Sequence, residues 1–315
     1  MLEEKQNKTK EKNKKVKILS AKVDVVFQAL FGEIGCENIT KDLLEKILDR
    51  KIEDIDLSKN VILRRKIPKE KLGVLDVLAQ IDNRENINIE MQVVDKTDMI
   101  ERILYYWCKL YSKEIKEGEK YQKLPKTVII LITDYNVKGL EKLKYHTTWR
   151  IKEIEENITL TNKLEIHIIE LPKIKGLEKE QDELLDWLYF INDSNCERGR
   201  NSMSKNKYIR EAAEKLNKMS EDEEMQRIAE LREKAVKDEM AVYDRGLEIG
   251  LEEGKKQGKE EGIKQGKEEG IKQGKEEGIR EGKIENAKKM IEKGFNIKDI
   301  IEITELSKEE IENMI

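Results

Sequence analysis

The sequence predicts an α/β or α+β domain running to about residue 195, followed by a helical extension. Three observations carry this reading. Apolar runs of strand character, "VLDVLAQID", "INIEMQVVD", "TVIILITDY" and "LEIHIIEL", are interleaved with segments of helical period. Beyond Asn195 no strand-like run remains and charged residues dominate. From Gly246 to Gly282 a glycine stands at every fourth position, ten in all.

Composition narrows the function classes. With 37% apolar and 41% charged residues, the 315-residue chain is too polar to be one globule throughout. A net charge of −4 means that any surface for nucleic acid must be local. No run of ~18 apolar residues is present, so no membrane span is expected. Cys36, Cys108 and Cys196 are scattered and odd in number, which points to a reducing, cytoplasmic setting and to no thiolate metal site. His146 and His167 are the only histidines, which excludes chemistry built on several imidazoles; both read as structural.

The elements follow in order. Residues 1–19 are basic and lack an apolar core, so they read as a disordered tail and not as a secretory signal. "VDVVFQALF" at 23–31 is an amphipathic helix, and "ITKDLLEKILDR" at 39–50 is a second with Thr40 as N-cap. "VILRRKI" at 61–67, "VLDVLAQID" at 74–82 and "INIEMQVVD" at 87–95 read as strands, the last two joined by the polar turn "NREN". Residues 97–117 return to helical period, with Ile100, Ile103, Leu104, Trp107, Leu110 and Tyr111 as the apolar side and Gly118 as the stop. "TVIILITDY" suits a strand buried on both faces, "LEIHIIEL" is another strand, and "EQDELLDWLYFI" a helix. The domain is expected over 20–195, then a charged helical linker over 196–245, a glycine repeat over 246–283 and a small helical hairpin over 284–315. Ser307 and Glu310 have capping-box spacing in that hairpin.

The chemistry gathers in the strand hairpin. Parity puts Asn88, Glu90 and Gln92 on one face of "INIEMQVVD", and Asp76 on the partner strand faces the neighbourhood of Glu90. Asp76 is the polar exception among Val74, Leu75, Val77 and Leu78. A carboxylate there is costly to desolvate and is repelled by a second one, and a divalent cation removes both penalties. Mg²⁺ takes one or two carboxylates and keeps several waters, so two acids on a hairpin suffice. The competing reading is a solvated strand face, with Asp76 paired to Arg64 or Arg65.

Five blocks, "KVDVVFQALFG", "LDVLAQID", "NIEMQVV", "ERILYYWCKLYSKEIKEGEKYQKL" and "LEIHIIELPK", resemble in that order the Rpn family of recombination-promoting nucleases and transposases, in the PD-(D/E)XK nuclease superfamily. The resemblance covers most of residues 20–195. It implies a restriction-endonuclease-like core, a mixed central sheet flanked by helices, and Mg²⁺-dependent DNA cleavage, with Mn²⁺ as a substitute. It implies Asp76 and Glu90 as metal ligands, Gln92 as the third catalytic residue where the superfamily usually has lysine, and Asp24 as an auxiliary acid. Glutamine orients water by hydrogen bonds but adds no charge, so another cation must help. Arg102, with Tyr106, Lys109 and Lys113 on the face away from Ile103 and Trp107, is the expected phosphate contact.

In the extension, glycine in a helix interior costs ~1 kcal/mol relative to alanine, and i,i+4 pairs such as Glu260–Lys264 return only ~0.2–0.5 kcal/mol each. Either the segment is loosely ordered or its glycines admit a close partner helix. A right-handed supercoil would keep a four-residue repeat facing that partner, so a homo-oligomer through residues 205–315 is expected. Two function classes result: a DNA endonuclease, or a catalytically silent DNA- or protein-binding scaffold assembled by its C-terminal helices.

Overall fold

A mixed six-stranded sheet centres the amino-terminal unit of the computed structural model, which describes residues 17–58, 76–82, 84–95, 98–115 and 117–315. Its strands are β1 (Ile55–Asp56), β2 (Val77–Ile81), β3 (Glu85–Gln92), β4 (Thr127–Thr133), β5 (His146–Trp149) and β6 (Leu164–Glu170). They lie in the order β1-β2-β3-β4-β6-β5. β2 and β3 form an antiparallel hairpin, β3, β4 and β6 run parallel, and β1 and β5 are antiparallel edges. All seven residues of β4 are buried, as its unbroken apolar run requires of a central parallel strand.

Both sheet faces are covered. Val77, Ala79, Ile87, Ile89, Met91, Val128, Ile130 and Ile132 pack with α1 (Asp24–Phe31), α2 (Glu37–Leu48), α4 (Glu183–Asn192) and α6 (Lys207–Glu221). Phe31, Trp187 and Phe190 meet there edge-on, with ring centroids 5.8 and 6.0 Å apart along the chain of three. Burial of a side chain the size of Phe31 contributes about 1.5–3 kcal/mol. The opposite face carries Ile129, Leu131, Ile166 and Ile168 beneath Met99 and Ile103 of α3 (Met99–Lys113). At the end of α1, Gly32 allows the helix to approach β2: a Cβ there would lie 3.2 Å from Val77 Cγ2 and 3.0 Å from the Gln28 carbonyl oxygen.

Several local expectations shift. Thr40 lies inside α2, where its hydroxyl donates to the Phe31 carbonyl at 2.6 Å, and Cys36 takes the N-cap position. Glu85 and Asn86 join β3, so the hairpin turns earlier than "NREN", with Asp82 at φ 45°. The edge strands β1 and β5 are additions to the expected set. Residues 1–16 of the expected tail and the expected strand at 61–67, with Arg64 and Arg65, lie outside the described residues.

Residues expected as a charged linker contribute to the core. α5 (Glu197–Lys205) and α6 follow α4 directly, and Ile209, Ala212, Ala213, Leu216 and Ala229 join the main core cluster. The chain divides into two compact units, one through Met240 and one from Ala241. α7 (Glu223–Glu292) is continuous through all ten ladder glycines, and a Cβ added at any of them meets nothing within 4 Å. In the second unit Ala287, Ile300, Leu306 and Ile311 pack the end of α7 with α8 (Ile297–Thr304) and α9 (Lys308–Glu312). The capping box between Ser307 and Glu310 is formed. Among the described residues no helix is long and apolar enough to cross a membrane.

Candidate metal and phosphate site

The hairpin register pairs Val77 with Ile89, and one step further along it sets Asp76 opposite Glu90. In the parallel pair with β4, Asn88 aligns with Ile129 and Glu90 with Leu131, residues that face α3. The polar side of β3 is therefore no solvated face. Asn88 is 0% and Glu90 3% exposed, under α3. A polar strand face buried this fully must satisfy itself, and the identity of its residues shows how.

Glu90 is bracketed by amides. Asn88 Nδ2 donates to Glu90 Oε1 at 2.8 Å, and the Gln92 side chain and the Asp76 backbone N–H donate to the same carboxyl. Burial nevertheless raises the Glu90 pKa to about 7, against these donors and the positive charge of Arg102. Asp76 Oδ2 accepts the Met91 N–H at 2.7 Å. Its pKa is raised well above the carboxylate range, first by burial of the carboxyl, then by the charges of Glu90 and Asp24. Glu90 is buried and the adjacent Asp76 half-buried, and both carboxyls are pushed toward their protonated forms.

Asp24 opens α1, with Oδ1 accepting the Val25 N–H at 2.8 Å and Oδ2 lying 3.6 Å from Arg232 Nε of α7. Lys22 anchors this end of α1 to the carboxyl edge of the sheet. Its ammonium lies 2.8 Å from Asp134 Oδ2, and the Asp134 N–H donates to the Gln92 carbonyl at 2.9 Å.

α3 is rotated from its expected orientation. Met99, Ile103 and Tyr106 are buried, whereas Ile100 and Leu104 are exposed. The rotation turns the Arg102–Tyr106 side inward: Arg102 Nη2 donates to Tyr106 Oη at 3.0 Å, and its charge acts on Glu90. Lys109 and Lys113 do not share this inward turn. Lys109 Nζ sits 5.6 Å from the Tyr105 ring centroid, and Lys113 is exposed. The structure thus gathers Asp76, Glu90, Gln92, Arg102 and Tyr106, leaves Asp24 acting on Asp76 only through its charge, and sets Lys109 apart.

The donor set suits a hard cation. It is all oxygen, the acids repel one another, and the buried Asn88 Oδ1 and Tyr135 Oη beside it have no protein hydrogen-bond partner. Among the described residues no three or more His, Cys, Asp or Glu side chains cluster closely enough to hold a metal. The histidines lie on the other sheet face, where His146 Nε2 and His167 Nδ1 are 2.9 Å apart and His167 Nε2 is 3.1 Å from Glu165 Oε1. Glu170 accepts the Val137 N–H at 2.7 Å, a scaffold bond.

Sequence reasoning missed Lys22, Arg232 and the anchoring role of Asn88. Only Asn88 carried a local signal, an amide two residues from a glutamate on one strand face. A family model described as PD-(D/E)XK nuclease family transposase matches residues 21–246. No curated protein and no solved structure matches the chain.

Proposed function

Because the chain belongs to the PD-(D/E)XK nuclease family of transposases, we propose that it is a Mg²⁺-dependent endonuclease hydrolysing DNA phosphodiester bonds, in recombination or on mobile elements. The observation that supports this most is the adjacent pair of acids, buried Glu90 and half-buried Asp76, each with its pKa raised. These two would hold Mg²⁺, or Mn²⁺ in its place, with Asp24 as an auxiliary acid. The bound ion supplies charge to a phosphoryl oxygen and acidifies a water.

The remaining work falls to side chains. Asn88 and Gln92 fix the Glu90 carboxyl by hydrogen bonds, and Gln92 orients water without contributing charge. Arg102, held by Tyr106, offsets negative charge at Glu90 and would contact a phosphate. In the test, plasmid DNA is incubated with the protein with Mg²⁺, with Mn²⁺ and with chelator. Nicking should require the metal and be absent from Glu90→Gln. Equal nicking by that variant refutes the assignment.

A catalytically silent scaffold is the second reading, favoured by the uncharged Gln92 at the position where a lysine would act. Calorimetric titration separates the two: the scaffold predicts no Mg²⁺ or Mn²⁺ uptake that depends on Asp76 and Glu90.

We further propose that copies of the chain associate through residues 205–315. The support is the continuous α7 with its ten open glycines and with Ile263, Ile271 and Ile279 exposed at eight-residue intervals. Replacing Gly258, Gly266 and Gly274 by alanine should stabilise a solitary helix by about 1 kcal/mol per site. In a paired helix the added methyls block close approach. Sedimentation should therefore show dissociation while circular dichroism shows undiminished helix. An unchanged oligomer would remove the glycines from the interface.

A further inference from the structure

A phosphodiester approaching Asp24, Asp76 and Glu90 meets three acids, and Gln92 adds no positive charge to oppose them. Of the cations already described, Lys22 is committed, and Arg102 is the one phosphate contact proposed above. Arg102 is half-buried and bonded to Tyr106, and Lys22 is divided between Asp134 and Asn192 Oδ1, the latter at 3.1 Å. A further cation comes from α7.

The start of α7 is fixed to the nuclease unit. Ala229 is fully buried in the core cluster that holds α1 and α6, and Met225 packs against it. Asp222 Oδ1 accepts the Met225 N–H at 2.8 Å, and Gln226 donates to the Ser220 carbonyl. Met225, Ala229 and Arg232 are spaced four and three apart, so they share one helix face. That spacing holds Arg232 over the first turn of α1, with Nε 3.6 Å from Asp24 Oδ2. Next to it, Glu233 pairs with Lys17 at 3.6 Å.

The Arg232–Asp24 pair is open to solvent, its side chains 56% and 46% exposed. An exposed pair of this kind is worth only ~0–1 kcal/mol, so a competing anion displaces it readily. A guanidinium offers forked donors that match phosphate oxygens. We infer that Arg232 is a DNA-phosphate contact that exchanges Asp24 for the substrate backbone, so that the first three turns of α7 are one wall of the nuclease site. This rests on the nuclease reading above and adds to it a residue that lies beyond residue 195.

Binding of a fluorescent DNA duplex to the full chain, measured by anisotropy across a salt series in chelator, tests this without cleavage. Arg232→Ala should weaken binding several-fold and lower the slope of log affinity against log salt by about 0.9, the share of one phosphate contact. Arg227→Ala, an exposed arginine on a different face of α7, should leave the slope unchanged. Asp24→Asn should strengthen binding, and that gain should shrink in the Arg232→Ala background. Circular dichroism verifies the fold of each variant. Wild-type affinity and slope in Arg232→Ala would overturn the inference and leave the nuclease reading standing. Failure of the wild-type chain to bind duplex with Mg²⁺ or in chelator would overturn both.

Discussion

Asp76→Asn is expected to abolish divalent-dependent cleavage and, in the same protein, to raise the stability of the metal-free form above pH 7. The two effects have one origin. Glu90 is buried and the adjacent Asp76 half-buried, and each is held above its ordinary carboxylate range chiefly by burial of the carboxyl. Asparagine keeps an oxygen to accept the Met91 N–H but contributes no charge toward a cation. Cleavage should fall by at least ~10²-fold, the loss typical of removing one group that stabilises developing charge.

The stability effect has a definite sign. Above the ordinary carboxylate range the folded protein keeps protons that the unfolded chain releases, Glu90 up to about pH 7. The unfolding free energy of the metal-free protein therefore falls as pH rises out of that range. Asp76→Asn removes one of the two acids, so its advantage should be near zero at pH 4 and clearly positive at pH 8. Urea denaturation in chelator at both pH values measures it. Saturating Mg²⁺ should reverse the ranking, because the ion replaces the protons in the wild-type chain alone. For the same reason wild-type Mg²⁺ affinity should climb as pH rises through about 7. A variant less stable than wild type at pH 8 in chelator would show that the acids do not repel each other across the hairpin.

The legible parts of this site share a local signature. Asp76 stands out as the polar residue in an apolar strand, and β3 has a clean two-residue period, so residue order alone sets Asp76 near Glu90. What the period could not supply is the environment of the polar face. Asn88 and Glu90 look solvated until α3 is laid over them. The rotation of α3 was itself ambiguous, because Met99, Ile100, Ile103, Leu104, Tyr106 and Trp107 spread apolar surface most of the way round the helix. Residues 197–229 hid for a different reason. Apart from Ile209 and Leu216, their buried core contacts are Ala212, Ala213 and Ala229, small side chains that barely register against so many charges. The short edges β1 and β5 carry too few residues to show a period. Arg232 and Asp24 meet across the whole domain, and no local pattern encodes such a pair.

The largest expected loss of stability lies on the other sheet face, at Glu165. This carboxylate is 4% exposed, yet it is charged: Oε1 lies 3.1 Å from both Lys126 Nζ and His167 Nε2, and Oε2 accepts Arg150 Nε at 2.7 Å. Burial opposes the charge, but the bonds from His167, Arg150 and Lys126 outweigh it and hold the group well below the usual carboxylate range. Glu165→Leu would leave two cations and an imidazole facing an apolar side chain, at a cost of about 3 kcal/mol. With His167 donating Nε2–H to Glu165, its Nδ1 accepts from His146 Nε2–H. Burial, and then His167, lowers the His146 pKa to about 4, so the unfolded chain binds a proton there that the folded one refuses. The His146 contribution is therefore complete above about pH 6.5 and is lost as pH falls toward 4; that of Glu165 is lost only below the ordinary carboxylate range. The His146 slope opposes that of the metal-site acids over the same pH range and, as one group against two, only partly offsets it, so wild-type stability in chelator should be highest near the ordinary carboxylate range, where the Glu165 contribution is complete. Glu165→Leu should lower the urea midpoint at pH 7 while the variant that remains folded keeps its Mg²⁺ affinity, since the whole sheet separates Glu165 from Glu90. Loss of metal binding in folded Glu165→Leu would mean that the two faces are coupled through β4 and that the metal site extends beyond the hairpin.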